Sequence, residues 1–226
     1  MSHNVHPYSH RLGILRDWKS RWFSLKDGYT ASLRSDLVIR DFLSNRLRSF
    51  YVSDILIERS PKILRVVIET SRPGLLIGRS GEGAIKLRDD IAKKLRKAGL
   101  ETSQELKIDV KEVKSPESNA AIVSQMVAEG LEKRMPFRRV MKQTVEKVMA
   151  NRDVLGVKIK VSGRLGGATM SRKESKKVGR IPLQTFRADI DFARREARLP
   201  YGNLGIKVWI YKGVIFNEKQ GPINNV

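Results

Sequence analysis

The residues with the clearest chemical potential fall in three groups. The first is Ile77-Gly78-Arg79-Ser80-Gly81-Glu82-Gly83. Glycine has no β-carbon, so Gly78 and Gly81 admit another molecule's backbone close to the main chain, adjacent amides can donate, and Arg79 adds a positive charge. That chemistry suits a phosphate backbone, although Gly163/Gly166 and Gly202/Gly205 repeat the spacing and only context separates them. The second group is Arg138, Arg139 and Lys142, at helical spacing after Pro136. The third runs from Lys158 to Arg187, with nine Lys or Arg and one acid, Glu174. An isolated patch so lopsided repels itself and is expected to need a polyanion. His3, His6 and His10 are close in sequence, but a polar arm explains them better than a metal site, and no metal or cofactor is expected.

Composition agrees with these groups. The chain has 226 residues, 45 Lys and Arg against 24 Asp and Glu, and a net charge of +21. Two domains and a nucleic-acid partner are the expectation. No apolar run is long enough to span a membrane, and the expected setting is soluble and intracellular. With no cysteine there is no disulfide framework, thiolate nucleophile or cysteine-bound zinc.

The elements around the loop follow from periodicity. Residues 1–22, with Pro7, Gly13, Trp18 and Trp22, show no sustained period and read as an extended arm; the two tryptophans suit RNA contact and packing on the protein's own core equally. Tyr29, Leu33, Leu37, Val38, Phe42 and Leu43 follow helical spacing. Ile55 and Ile57, then Leu64, Val66 and Ile68, predict paired strands about Arg59-Ser60-Pro61-Lys62. Gly74 to Ile77 leads into the glycine loop, a basic helix with Ile85, Ile91 and Leu95 inward follows, and Leu106, Ile108 and Val110 form a further strand.

Lys111 to Ser118 is polar and proline-bearing, and marks the expected domain boundary. Beyond it, Ser118 or Asn119 caps a helix reaching about Lys133. In the helix after Pro136, Phe137, Val140, Met141, Thr144, Val145 and Val148 share one face, which leaves Arg138, Arg139 and Lys142 on the other. Val157, Ile159 and Val161 alternate with Lys158, Lys160 and Ser162 as a strand with one cationic face. Further strands are expected at Ile181 to Phe186, Ala188 to Phe192 and Ile206 to Tyr211. The expected class is α+β, with an arm at 1–22, an N-terminal domain at 23–113, a C-terminal domain of two helices on a four-stranded sheet at 118–213, and a flexible tail at 214–226.

Helix, two strands, helix, glycine loop, helix, strand is the order of a type II KH domain, a module that clamps single-stranded RNA. A P-loop is excluded because Ala84-Ile85 stands where Lys followed by Ser or Thr is required. Ser162-Gly163-Arg164-Leu165-Gly166-Gly167-Ala168, Gly179-Arg180-Ile181-Pro182-Leu183, Arg187-Ala188-Asp189-Ile190-Asp191 and Gly205-Ile206-Lys207-Val208-Trp209-Ile210 resemble the bacterial ribosomal S-three proteins. With Arg11-Leu12-Gly13-Ile14 and Trp18/Trp22-Phe23, the similarity covers nearly the whole chain; Ser2, His3, Asn4 and Ser9 depart from the family's usual opening.

This resemblance implies a structural protein of the small-subunit head in the cytoplasm. It implies binding to small-subunit rRNA, proteins S-ten and S-fourteen as neighbours, and a face toward incoming mRNA. It makes Gly78, Arg79, Ser80 and Gly81 an RNA-binding loop and Arg138, Arg139 and Lys142 the lining of the mRNA entry, assisting strand separation without nucleotide hydrolysis. It also makes Arg11, Lys158, Lys160, Arg164, Arg172, Lys173, Lys176, Lys177 and Arg180 candidate rRNA contacts. The alternatives are a KH regulator acting off the ribosome and a DNA-lesion lyase or nuclease, for which no paired carboxylates in a metal-site context or histidine-based set is present.

Overall fold

The computed structural model describes residues 5–25, 27–100 and 104–215. His3 and most of the expected tail lie outside the described residues. In chain order the elements are α1 (Pro7–His10), β1 (Ser20–Arg21), α2 (Asp27–Arg46), β2 (Val52–Arg59), β3 (Ile63–Thr70), α3 (Pro73–Ile77), α4 (Glu82–Lys97), β4 (Glu105–Glu112), α5 (Ala120–Glu132), α6 (Phe137–Met149), β5 (Gly156–Gly163), β6 (Arg172–Gly179), β7 (Ala188–Leu199) and β8 (Gly202–Val214). The chain divides into two compact units, bounded as Trp18–Met126 and as Met1–Asp17 with Val127–Val226. No helix among the described residues is long and apolar enough to cross a membrane.

The Trp18–Met126 unit has a sheet ordered β1-β2-β3-β4. β2 and β3 are antiparallel, whereas β4 runs parallel to β3. Leu64, Val66 and Ile68 on β3 meet Ile39 and Leu43 of α2, Leu76 of α3, and Leu87, Ile91 and Leu95 of α4 in one core. Burying each such side chain contributes about 1.5–3 kcal/mol. The helical period of α2 is as expected, but its buried face is not. Ile39, Leu43 and Leu47 are buried, while Tyr29, Leu33 and Leu37 are exposed. The cause is polar: Ser35 and Asp36 are buried with them, and Arg59 donates from Nη2 to Ser35 Oγ at 2.5 Å and to Asp36 Oδ1 at 2.8 Å. Trp22 Nε1 completes the group on Asp36 Oδ2 at 2.7 Å. Trp22 thus folds back on its own unit, while Trp18 is 61% exposed. Asn119 Oδ1 accepts from the amides of Ala121 and Ile122 and caps α5, as side-chain oxygens at helix starts do.

In the second unit the sheet order is β6-β5-β8-β7, with every neighbouring pair antiparallel. Val157, Ile159 and Val161 of β5 and Ile206, Val208 and Ile210 of β8 are fully buried. Val140, Met141, Thr144, Val145 and Val148 of α6 are buried as their spacing predicts, and Pro136 stands at its N-cap. Gly130 of α5 lies where a Cβ would come 3.0 Å from Val140 Cγ1, so the two helices approach closely at a glycine.

The four-stranded sheet is as expected, but one strand is different. Ile181 to Phe186 forms no strand; Pro182 has no N–H to give to a ladder. The fourth strand is β6, the cationic segment itself, paired only with β5. The arm is not extended either. Residues 5–17 contain α1 and belong with the C-terminal unit, held there by Arg11 and by Arg16, whose Nη2 lies 2.6 Å from Asp189 Oδ1.

Candidate nucleic-acid interface

The glycine loop joins α3 to α4 by a turn that needs its glycines. Gly78 has φ 71° and Gly81 φ 81°, the left-handed region, which glycine enters without a Cβ clash. Ser80 shares that region at φ 53°. Gly83 does separate work: a Cβ there would meet Leu76 O at 2.5 Å and Ile77 O at 2.8 Å, so only glycine lets α4 start against the end of α3. Arg79 and Ser80 are exposed. α4 begins without a side-chain cap, and the amide of its first residue, Glu82, donates to Arg79 O inside the turn.

Next to the loop, α4 and the edge strand β4 enclose an open groove. Its larger part, about 460 Å³, is lined by residues including Arg88, Ala92, Leu95, Arg96 and Leu106. A smaller part reaches Ala84 and Ile85, within the first turn of α4. Ile85, expected to point inward, is 51% exposed on this groove. Asp89, Glu105 and Asp109 line the groove as well, beside Arg88, Arg96 and Lys107, and Arg88 pairs with Asp89, so its charges balance. Only its apolar floor, with the glycine loop at one end, suits the bases of a single strand.

In the C-terminal unit, strand register sorts the basic residues onto two sides of the sheet. Val157, Ile159 and Val161 face the helices, and opposite them on β6 stand Val178, Lys176 and Glu174. The alternate positions therefore face away from α6, and at the β7 end of that side His6, at the start of α1, packs on Phe192. There Lys177, Lys158, Trp209 and Phe192 form a row across β6, β5, β8 and β7, followed by Ser175, Lys160, Lys207 and Arg194. Lys158 Nζ lies 5.4 Å from the Trp209 ring centre, and Trp209 lies 5.1 Å from Phe192. Lys207 and Arg194 complete the cationic row, though neither stands out in the sequence.

On the helix side, Arg138, Arg139 and Lys142 are all exposed on α6. They differ in their surroundings. Arg138 donates from Nε and Nη2 to Glu174 Oε2 and Oε1 at 3.4 and 3.2 Å, and this pairing, by hydrogen bond first and charge second, raises the Arg138 pKa. Lys142 Nζ is 4.0 Å from Glu146. Arg139 has no ion pair among the described residues.

Of the remaining candidates, Arg164 is exposed with its donors turned to the carbonyls of Ala168 and Tyr201. Arg172, Lys173 and Arg180 are exposed and Lys176 is half-buried. Arg11 is fully buried. Its guanidinium donates to the carbonyls of Ala188, Pro7, Leu183 and Thr185 at 2.7, 3.0, 3.1 and 2.8 Å. Desolvation lowers its pKa, Asp189 opposes that shift, and Arg16 adds to it. With its donors spent on backbone, Arg11 is a structural fastener of the N-terminal segment and not a surface for phosphate. His6 and His10 pack apart, on Phe192 and Phe186.

Known families match both units. Residues 38–118 match the KH domain family, and residues 127–210 match the family described as ribosomal protein S3, C-terminal domain. The small ribosomal subunit protein uS3 of Endomicrobium trichonymphae is 47% identical over 218 residues, 96% of this chain and 90% of that protein. Its counterpart from Xanthomonas campestris pv. campestris is 44% identical over 220 residues, covering 97% and 87%. That of Caldicellulosiruptor bescii is 43% identical over 219 residues, covering 97% and 96%. With near-complete coverage at this identity and both units matched separately, the chain belongs to the uS3 family of small ribosomal subunit proteins.

Proposed function

We propose that this chain is a structural, non-catalytic constituent of the cytoplasmic small ribosomal subunit, that it binds small-subunit rRNA, and that α6 meets incoming mRNA. The observation that carries the mRNA reading is the division of α6: five residues of one side are buried in the core, and Arg138, Arg139 and Lys142 are exposed on the other. A rigid helix thus presents three cations at fixed spacing. The rRNA reading rests on Lys158, Lys160, Lys173 and Lys177 on the outer sheet side, with Arg164, Arg172, Lys176 and Arg180 around β6. Gly78, Arg79, Ser80 and Gly81, with the groove beside them, make an RNA-competent KH site. S-ten and S-fourteen are the proposed protein neighbours.

Such an arrangement acts by charge and position. Three cations on one helix hold the phosphates of one strand, so a base pair that opens thermally is less free to close, and the motion of mRNA through the ribosome supplies the work. The test is translation through a stable mRNA hairpin by ribosomes whose copy of this chain carries alanine at Arg138, Arg139 and Lys142. Slowed passage at the hairpin with normal passage over unstructured mRNA is expected; equal passage on both would refute the mRNA reading.

A further inference from the structure

Glu174 is the one acid between Lys158 and Arg187, and the mRNA reading gives it no part. Its side chain is 27% exposed, against 75% for Arg138, so the carboxylate is the more enclosed partner of the pair. It sits on β6 opposite the fully buried Val161. This register aims Glu174 toward α6. Arg172 and Lys176, two residues away on either side, share its side of the strand, yet its recorded ion pair is with Arg138, 36 residues back in sequence.

The contact atoms matter. A guanidinium offers donors along two edges: Nε with one Nη, and the two Nη together. Glu174 takes Nε and Nη2 of Arg138. Nη1 and the second hydrogen of Nη2 remain as a fork for a phosphate. A surface arginine otherwise samples many rotamers and loses that freedom on binding; one held along its side edge has lost much of it beforehand. The Arg138 guanidinium carbon also lies 5.6 Å from the Phe137 ring centre, which limits its swing further. Arg139 has no such tether.

We propose that Glu174 is a positioning residue for the α6 cations: it orients Arg138 so that its free fork meets an RNA phosphate, and it makes Arg138 and Arg139 unequal in that task. This rests on the mRNA reading above. The opposing physical view treats Glu174 as a competitor, a carboxylate that shields Arg138 from phosphate. The two views predict opposite signs when the carboxylate is removed.

The experiment uses ribosomes carrying Glu174→Ala, Glu174→Asp, Arg138→Ala or Arg139→Ala in this chain, with Glu174→Ala also combined with each arginine change. Hairpin passage is measured in parallel with affinity of the free protein for an unstructured oligoribonucleotide. Positioning predicts that Glu174→Ala slows hairpin passage several-fold, toward the Arg138→Ala level, and that Glu174→Asp, one methylene short, falls between. It predicts that Glu174→Ala adds little to Arg138→Ala but its full effect to Arg139→Ala. Affinity for the unstructured strand should change little, because the lost orientation of Arg138 is offset by the removal of one negative charge. A loss from misfolding would lower affinity and passage together and would couple equally to both arginines, so that pattern overturns the proposal. Unchanged or faster passage in Glu174→Ala, while either arginine change slows it, also overturns the proposal and leaves the mRNA reading standing. If neither arginine change slows passage, the mRNA reading fails and the proposal fails with it.

Discussion

Replacing Lys207 should make the C-terminal unit more stable and its RNA binding weaker. Lys207 is exposed on β8, directly opposite Lys160 on β5 and Arg194 on β7. Among the described residues, none of the three cations has a recorded acidic partner. Directly opposed like charges in a sheet have Cβ atoms about 5 Å apart and cost about 0.2–1 kcal/mol per pair. Lys207→Thr removes two such pairs, puts in a β-branched residue suited to a strand, and should gain about 1 kcal/mol at low ionic strength. The gain must shrink with salt, since the screening length falls from about 30 Å at 0.01 M to about 3 Å at 1 M. Urea unfolding at both salt concentrations measures this, followed through Trp209 in a background where Trp18 and Trp22 are phenylalanine. In parallel, binding to a small-subunit rRNA fragment should lose about 0.7–0.9 from its log-log salt slope, the share of one phosphate. Destabilisation at low salt with an unchanged slope would refute the view that this row awaits a polyanion.

Two further outcomes follow from buried charge. Arg11→Ala strips partners from four carbonyls and should cost about 3 kcal/mol or more in unfolding experiments on the C-terminal unit, while leaving the salt slope of RNA binding unchanged because no phosphate contact is lost. Asp36→Ala leaves the Arg59 guanidinium, only 8% exposed, without its carboxylate and should cost about 3–5 kcal/mol in the N-terminal unit; replacing Asp36 and Arg59 together by Leu and Met should recover much of that loss, as an apolar pair often replaces a buried ion pair at little cost.

What could be read from the sequence, and what could not, divides along physical lines. α6 was legible because its buried and cationic sides alternate with the helical period, and the one polar residue on the buried side, Thr144, returns its hydroxyl to Val140 O of the same helix. The glycine loop was legible because its neighbours set its context, although the role of Gly83 depends on a close approach that spacing does not encode. β6 was not legible: an edge strand whose helix-side positions are Glu174 and Lys176 lacks the apolar alternation that marks a strand. The face of α2 was misjudged because Ser35 and Asp36 enter the core as partners of Arg59, and hydropathy scores a buried ion pair as surface. Arg11 was grouped with the rRNA contacts through the family resemblance, whereas three of the four carbonyls it holds lie more than 170 residues away. The Lys160, Lys207 and Arg194 row exists only once β8 is inserted between β5 and β7. Strand order of that kind is a tertiary fact.

The central claim, that the cationic side of α6 meets messenger RNA, is tested most directly by cross-linking. A photoreactive residue in place of Arg139, in ribosomes stalled on an mRNA of defined sequence, should form adducts with mRNA nucleotides that have not yet reached the decoding site, and the adduct position should move along the message as the stall codon is moved. Adducts confined to rRNA or to neighbouring proteins, unchanged when the stall codon moves, would contradict the account.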